Sequence, residues 1–429
     1  MTTSTEGKPP PTRLSPTVKL LGAVSFLNDV ASEMITPILP LFLTMRLGAG
    51  PAAVGLIEGL AEAASSLLKG WSGRAADRSR RTRGLVIAGY SVSNLVRPLV
   101  AFAGAWPVVL LLRFLDRVGK GIRTAPRDAL ISRTSEPSQR GRAFGFHRAM
   151  DHLGATVGPL VAFALLGAGA TLETVFLWSI VPGLALVALL LLRLREPEPA
   201  IEPVAEAPDP QPTRPGAVIG AVAEAPGQQP HGFGVTALPA RLRPIAWAML
   251  LQAFAMVPDA FLVLWAAERG VITAYIPLIW AAAHLARSGL VRWAGGWSDG
   301  RNRAGVVALG WGMRVLGLGA LAWAPSGMVW TTAIFIGWAA IAAATEGPER
   351  ALVSSLAEAR SHGRAFGLYH MGIGLVALPG ALIFGTTWEI FGFEAAFLFS
   401  AVGSAVAAGL MAHGARKAQT DSRPVPPDR

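Results

Sequence analysis

The stretch Arg113-Phe114-Leu115-Asp116-Arg117-Val118-Gly119-Lys120-Gly121-Ile122-Arg123-Thr124-Ala125-Pro126-Arg127-Asp128 continues the apolar run Trp106 to Leu112. Together they have the length of a membrane-spanning helix. Yet the stretch carries seven charges: Arg113, Asp116, Arg117, Lys120, Arg123, Arg127 and Asp128. At 3.6 residues per turn, all seven fall on one face about 140° wide. A charge at bilayer depth costs several kcal/mol and turns toward a bundle interior or a watery cavity. The opposite face (Leu111, Phe114, Leu115, Val118, Ile122, Ala125) is apolar and suits lipid or other helices. The pattern predicts a polytopic membrane protein whose remaining helices surround this charged face.

Composition points the same way. Of 429 residues, 52% are hydrophobic and 15% charged, and the mean hydropathy is +0.45. Soluble globular chains carry about 25% charged residues. The formal net charge of +11 would suggest a nucleic-acid partner in a soluble protein. In a membrane protein it follows from the excess of Lys and Arg in cytoplasmic loops, so no nucleic acid is expected. The chain has no cysteine, which removes disulfides, thiolate chemistry and Cys-type metal sites. The first apolar segment is long and carries Asn28, Asp29 and Glu33, so it reads as a retained membrane helix rather than a cleavable signal.

About 20 apolar residues span the hydrocarbon core, and twelve such segments are legible, from 17–45 to 393–413. The first six lie in 17–194 and the last six in 244–413. Residues 1–16 and 414–429 read as tails. The segment 195–243 is rich in Pro, Ala, Glu and Gln and reads as a flexible linker. Basic clusters at 78–83, 133–142, 301–303, 360–364 and 416–417 fall on one side of this topology, as does the linker. Both termini are therefore expected in the cytoplasm. The halves repeat one another. Gly141-Arg-Ala-Phe-Gly145 recurs as Gly363-Arg-Ala-Phe-Gly367, a shift of 222 positions. Ala125-Pro-Arg-Asp-Ala-Leu-Ile-Ser132 resembles Gly347-Pro-Glu-Arg-Ala-Leu-Val-Ser354 at the same shift, and Gly73-x-x-x-Asp77 matches Gly295-x-x-x-Asp299.

With these features the chain resembles the major facilitator superfamily over all twelve helices. The resemblance implies an all-α fold of two six-helix bundles related by a pseudo-twofold axis along the membrane normal. The loop Gly73-Arg-Ala-Ala-Asp77-Arg78-Ser-Arg80-Arg81 looks like the superfamily's G-x-x-x-D-R-x-G-R-R/K signature, with Ser79-Arg80 where Gly usually sits. Its copy from Gly295 and Asp299 is shortened. In the family this loop is a cytoplasmic gate, which would assign Gly73, Asp77, Arg78, Arg81, Gly295 and Asp299. Arg117-x-x-x-Gly121 resembles the helix 4 motif of drug/proton antiporters, with Lys120 where Gln is common. Gly154-x-x-x-Gly158-Pro159 resembles their helix 5 motif. Small residues at that spacing also allow close helix packing, so a packing kink explains the second motif equally well.

The interior chemistry reads from the charges at bilayer depth. Asp29 and Glu33 are four apart on helix 1, and Glu58 and Glu62 four apart on helix 2, so each pair stacks on one face. Helix 3 adds Arg97, helix 5 adds Asp151 beside His147, and helix 7 adds Asp259. Together with Arg113, Arg117 and Lys120 these are the candidates for proton coupling or substrate contact. Asp116 and Asp128, flanked by Arg, read as structural pairs, and Arg123 and Arg127 as gate residues. The second half carries fewer charges, and Trp265, Trp280, Trp311 and Trp338 suggest an apolar wall facing the ionic half. No spacing is specific for a metal, and no cofactor is expected.

The functional expectation is a proton-coupled secondary transporter, working as a monomer by alternating access and exporting a small organic or amphipathic compound. Its partners are that substrate, protons and the bilayer of the plasma or inner membrane. The alternative is a carrier of organic anions or metal chelates that uses the basic face of helix 4. A sensor or scaffold without transport ranks below both. No nucleophile triad or phosphate loop suggests an enzyme.

Overall fold

The computed structural model of the protein describes residues 14–79, 82–136, 139–195, 243–298, 302–356 and 362–420. They form twelve spanning segments: α1 (Pro16–Arg46), α2 (Pro51–Ser79), α3 (Thr82–Phe102), α4 (Trp106–Arg133), α5 (Arg140–Gly167) and α6 (Leu172–Arg193). The second set is α7 (Arg243–Phe254 and Asp259–Glu268), α8 (Ile276–Ser298), α9 (Arg303–Trp323), α10 (Met328–Leu356), α11 (His362–Phe391) and α12 (Phe393–Thr420). Nine of these are long and apolar enough to cross a bilayer among the described residues, and the two pieces of α7, bent by 40°, make a tenth. The remaining two, α4 and α8, both turn charged residues toward the centre of the molecule. With an even number of spans, the first and last helices have their outer ends on one side, called here the terminal side.

Proline explains the breaks that a purely apolar count passes over. Pro37 has no N–H and interrupts α1 after Ile35, and the chain resumes as a short helix and a π turn over Phe42–Arg46. Pro98 tightens the end of α3 into a 3-10 helix, Arg97–Phe102. Pro258 stands at the start of the second piece of α7. At the terminal side, Ser15 caps α1 by accepting from the Val18 amide at 3.2 Å. The last helix runs past the expected end at 413 to Thr420, because Ala415-Arg-Lys-Ala-Gln419 is a run of good helix formers. The expected linker lies, except for Arg195 and Arg243, outside the described residues. The gate motif differs from its sequence expectation. Gly73, Asp77 and Arg78 belong to the helical end of α2 rather than to a loop, and Gly295 lies in α8. Their side chains, and Arg81 and Asp299 altogether, lie outside the described residues.

Within the first half α1 packs on α5 and α6, and α4 on α2 and α3; in the second, α9 packs on α10 and α12, and α8 on α10. The halves meet along α2 and α11, along α5 and α8, and between α1 and α7. Burial is unequal along the membrane normal. Away from the terminal side one apolar cluster draws on both halves, joining Ile38, Leu41 and Phe42 to Phe261, Trp265, Phe384 and Trp388. Toward the terminal side there are two separate clusters. One is built on Leu21, Tyr90 and Leu190 of the first half, the other on Ile245, Trp311 and Met411 of the second.

Candidate functional site

Between the halves lies a cavity of about 520 Å3, lined by α1 to α4 and α7 to α11. The shared apolar cluster borders it, since Ile35, Val257, Ala260, Trp280 and Trp338 belong to both. Nine of the ten candidate residues line it: Asp29, Glu33, Glu58, Glu62, Arg97, Arg113, Arg117, Lys120 and Asp259. Asp151 does not. It accepts from Ser25 of α1 and lies 3.5 Å from His147 and 3.9 Å from Arg148, so it ties α5 to α1 away from the cavity.

The charged face of α4 divides into two kinds of residue. Asp116 is buried, accepts from Arg97 Nε at 2.9 Å and lies 3.8 Å from Arg113. The other end of Arg97 donates to Asn28 Oδ1 and Asn94 Oδ1, each at 3.1 Å. Arg113 donates to Glu58 at 2.8 Å. This network ties α1, α2, α3 and α4 together and satisfies the buried charges by mutual pairing. Gly89 and Gly119 let α3 and α4 approach so closely that a Cβ on either would sit 2.6 Å from the other's carbonyl oxygen. One turn on, Arg123 lies over the Tyr90 ring at 4.3 Å and donates to Ser93 Oγ at 2.7 Å. That places Arg123 on the cavity wall, whereas Arg127 pairs with its neighbour Asp128 at 2.8 Å.

Arg117 and Lys120 differ from these. They line the cavity, and neither has a hydrogen bond from its side chain or a carboxylate within 4.0 Å among the described residues. On the acid side, among the described residues Asp29 accepts only from neighbouring Asn28 at 2.9 Å, and Glu62 accepts from Ser66 at 3.0 Å. Glu33 crosses between the halves. It accepts from the Trp280 indole at 2.9 Å and lies 3.8 Å from His284.

The second half is more ionic than the sequence suggests. Asp259 pairs with Arg287 at 3.1 Å. Arg314 donates to Thr345 and to the Ala342 carbonyl and lies 3.3 Å from Glu349, which also accepts from Trp311 at 2.6 Å. Of the four tryptophans, Trp280 and Trp338 line the cavity; Trp265 is buried with its indole on the Leu321 carbonyl at 3.0 Å. Arg314 is the residue that sequence reading passed over, although a lone Arg midway along apolar α9 is a legible signal. The helix 5 glycines have a packing role. A Cβ on Gly154 would lie 2.5 Å from the Phe26 carbonyl and one on Gly158 2.6 Å from that of Val30, and Pro159 is buried in the same helix.

Two helical bundles around a charged central cavity are the architecture of a multi-pass membrane transporter. The model of the Major Facilitator Superfamily matches residues 21–348, and the chain belongs to that superfamily. An uncharacterized MFS-type transporter of Methanocaldococcus jannaschii is 30% identical over 417 residues, covering 93% of this chain and 94% of the relative. An uncharacterized protein of Mycobacterium tuberculosis is 31% identical over 379 residues, 87% of each. Among solved structures, a bacterial homolog of the human lysosomal transporter Spinster, inward-facing and occupied, superposes with a TM-score of 0.73 at 15% identity. It covers 95% of this chain and 98% of that one. The nucleoside transporter NupG gives 0.71 at 13% identity, covering 93% and 99%. At such identities the likeness is one of fold.

Proposed function

We propose that the protein is a proton-coupled secondary transporter that exports a small organic or amphipathic compound, rather than an enzyme. It works as a monomer in the plasma or inner membrane, with both termini cytoplasmic. The basic clusters on the terminal side support that orientation. The first and second six-helix units, 17–194 and 244–413, move against each other about the central cavity. With the shared cluster sealing one side and separate clusters on the other, the conformation is open toward the cytoplasm.

One observation carries the coupling. Asp29 and Glu62 face the cavity with no Lys or Arg within 4.0 Å among the described residues, and Glu33 has only an indole and a histidine. A carboxylate in a watery cavity without a fixed cation can exchange its proton with whichever side the cavity opens to. Glu33 adds a link from that proton to the second half, because its acceptor role toward Trp280 spans the gap between α1 and α8.

The absence of native cysteine makes the test direct, since introduced cysteines are the only labelling sites. Gly141→Cys with Arg303→Cys reports the terminal side, and Met45→Cys with Ile272→Cys the other. In spin-label distance measurements on the full chain, acidification should change both distributions, one pair closing as the other opens. Asp29→Asn with Glu33→Gln should suppress that pH response. Distances that ignore pH in the otherwise unsubstituted protein would remove the coupling, and distances moving together would remove alternating access.

A further inference from the structure

We infer that Arg117 and Lys120 form the receptor for an oxyanion group, so that the transported compound is a soluble organic anion with an aromatic or other apolar body. This rests on the transporter reading above and narrows its substrate class.

Seven lysine and arginine side chains face the cavity, and five of them already have partners. Arg97 and Arg113 hold Asp116 and Glu58, Arg123 holds Ser93 and Tyr90, Arg287 holds Asp259, and Arg314 holds Glu349. A broad basic surface on α4 is therefore not what the cavity offers. Arg117 and Lys120 remain, three residues apart and so neighbours on one helix face. Two like charges side by side at bilayer depth repel each other, and neither has a carboxylate in contact among the described residues. An oxyanion between them removes the repulsion and fills empty donors. A guanidinium offers a planar fork for two oxygens and an ammonium a third, rotatable contact. Glu62 accepts from Ser66 and has no Lys or Arg within 4.0 Å among the described residues, so it does not contact either cation.

The rest of the cavity sets the other end of the molecule. Across from α4 stand Trp280 and Trp338, with Met256 and Val257 from the bend of α7. Trp280 has given its N–H to Glu33, which leaves its ring as an apolar surface. Pockets that hold small molecules combine such walls with a few placed polar groups, and a volume of about 520 Å3 admits a body of one or two rings. The same cationic pair would also receive the phosphate of an anionic lipid. The lipid arms of the test below separate that source from the soluble anion.

The test uses the full-length protein in a neutral detergent, read by melting temperature. The probes are benzenesulfonate, phenyl phosphate, benzenesulfonamide and benzyltrimethylammonium, with phosphatidylglycerol and phosphatidylcholine as lipid arms. The two anions should raise the melting temperature where the neutral and cationic probes do not. Arg117→Gln and Lys120→Gln should each weaken the anion effect about tenfold or more, as loss of one partner in a desolvated charge contact does. Arg117→Lys, which keeps the charge, should retain part of it. Removal of unpaired cations should leave the unliganded melting temperature at or above that of the parent, so loss of the ligand effect is separable from misfolding. The inference is overturned if neither anion acts, if all charge types act equally, if the glutamine variants respond like the parent, or if phosphatidylglycerol acts and benzenesulfonate does not. Any of these, with the paired distances still moving in opposition, leaves the transporter reading standing.

Discussion

At the scale of single residues, the site separates charges that hold helices from charges left for chemistry. Arg97 and Asp116 are both nearly inaccessible and meet at 2.9 Å. Removing one member of such a pair strands the other, at a cost of about 3–5 kcal/mol. Arg97→Gln alone should therefore lower the melting temperature sharply. Arg97→Gln with Asp116→Asn should cost much less than the sum of the two single changes, an interaction that a double-mutant cycle in detergent measures directly. Additive losses would mean that Arg113 alone satisfies Asp116. Glu33→Gln is the contrasting case. The amide oxygen still accepts from Trp280, so the fold should melt near the parent while the pH response of the paired distances disappears. Much of this was legible beforehand, since acids and bases at bilayer depth have few tolerable arrangements other than pairing or a cavity. What the sequence could not give was the pairing itself. Arg97, Arg113 and Arg117 look alike in a list, and only three-dimensional neighbours show that the first two are taken while the third has no carboxylate within 4.0 Å among the described residues. The opposite error occurred in the second half, where a low density of charge suggested an apolar wall. Burial concentrates charge: Asp259, Arg287, Arg314, Glu346 and Glu349, few as they are, all line the cavity.

At the scale of elements, helix contact is governed by what a missing side chain allows. A Cβ on Gly59 of α2 would stand 2.9 Å from the Cα of Leu378 on α11, across the boundary between the halves. A Cβ on Gly158 of α5 would stand 2.6 Å from the Val30 carbonyl of α1, within one half. Both substitutions to Ala overpack, which costs about 1–3 kcal/mol, but the strain is relieved differently. Gly59→Ala is relieved when the halves separate on that side, so it should shift the conformational ratio by roughly five- to hundredfold toward opening there. The distance between labels at Met45 and Ile272 reads that shift. Gly158→Ala is strained in both conformations. It should lower the melting temperature and leave the label distances unchanged. If both variants shifted the distances alike, the division into rigid halves would be wrong. The helices themselves were legible from apolar length, and their breaks less so. Pro37, Pro98 and Pro258 are visible in the sequence, yet whether a proline kinks, tightens or splits a helix depends on what repacks around the freed carbonyl.

At the scale of the whole molecule, the proposed alternating access needs one sequence to support two packings, and one of them is present here. The sequence repeats and basic loops that motivate the proposed halves and orientation do not say which end is sealed, because alternating access requires both states to be close in energy. The seal therefore has to be weak enough to open, and one polar contact across it is exposed to change. Glu389, near the end of α11, accepts from the Ala52 amide at 2.9 Å, and a Cβ on Gly50 would lie 2.6 Å from the same carboxylate. The second half thus caps the first turn of a helix of the first half, where free N–H groups and the helix dipole favour an anion. Loss of an N-terminal cap costs about 0.5–2 kcal/mol. Because the cap exists only while that side is closed, the cost falls on the closed state alone. Glu389→Ala should raise the fraction open on the side of Met45 and Ile272 by about two- to thirtyfold, and Glu389→Gln, which keeps an acceptor but not the charge, by less. The label pair at Gly141 and Arg303 should close in step. An unchanged ratio in Glu389→Ala would show that the apolar cluster from Ile38 to Trp388 holds the seal without help from the cap.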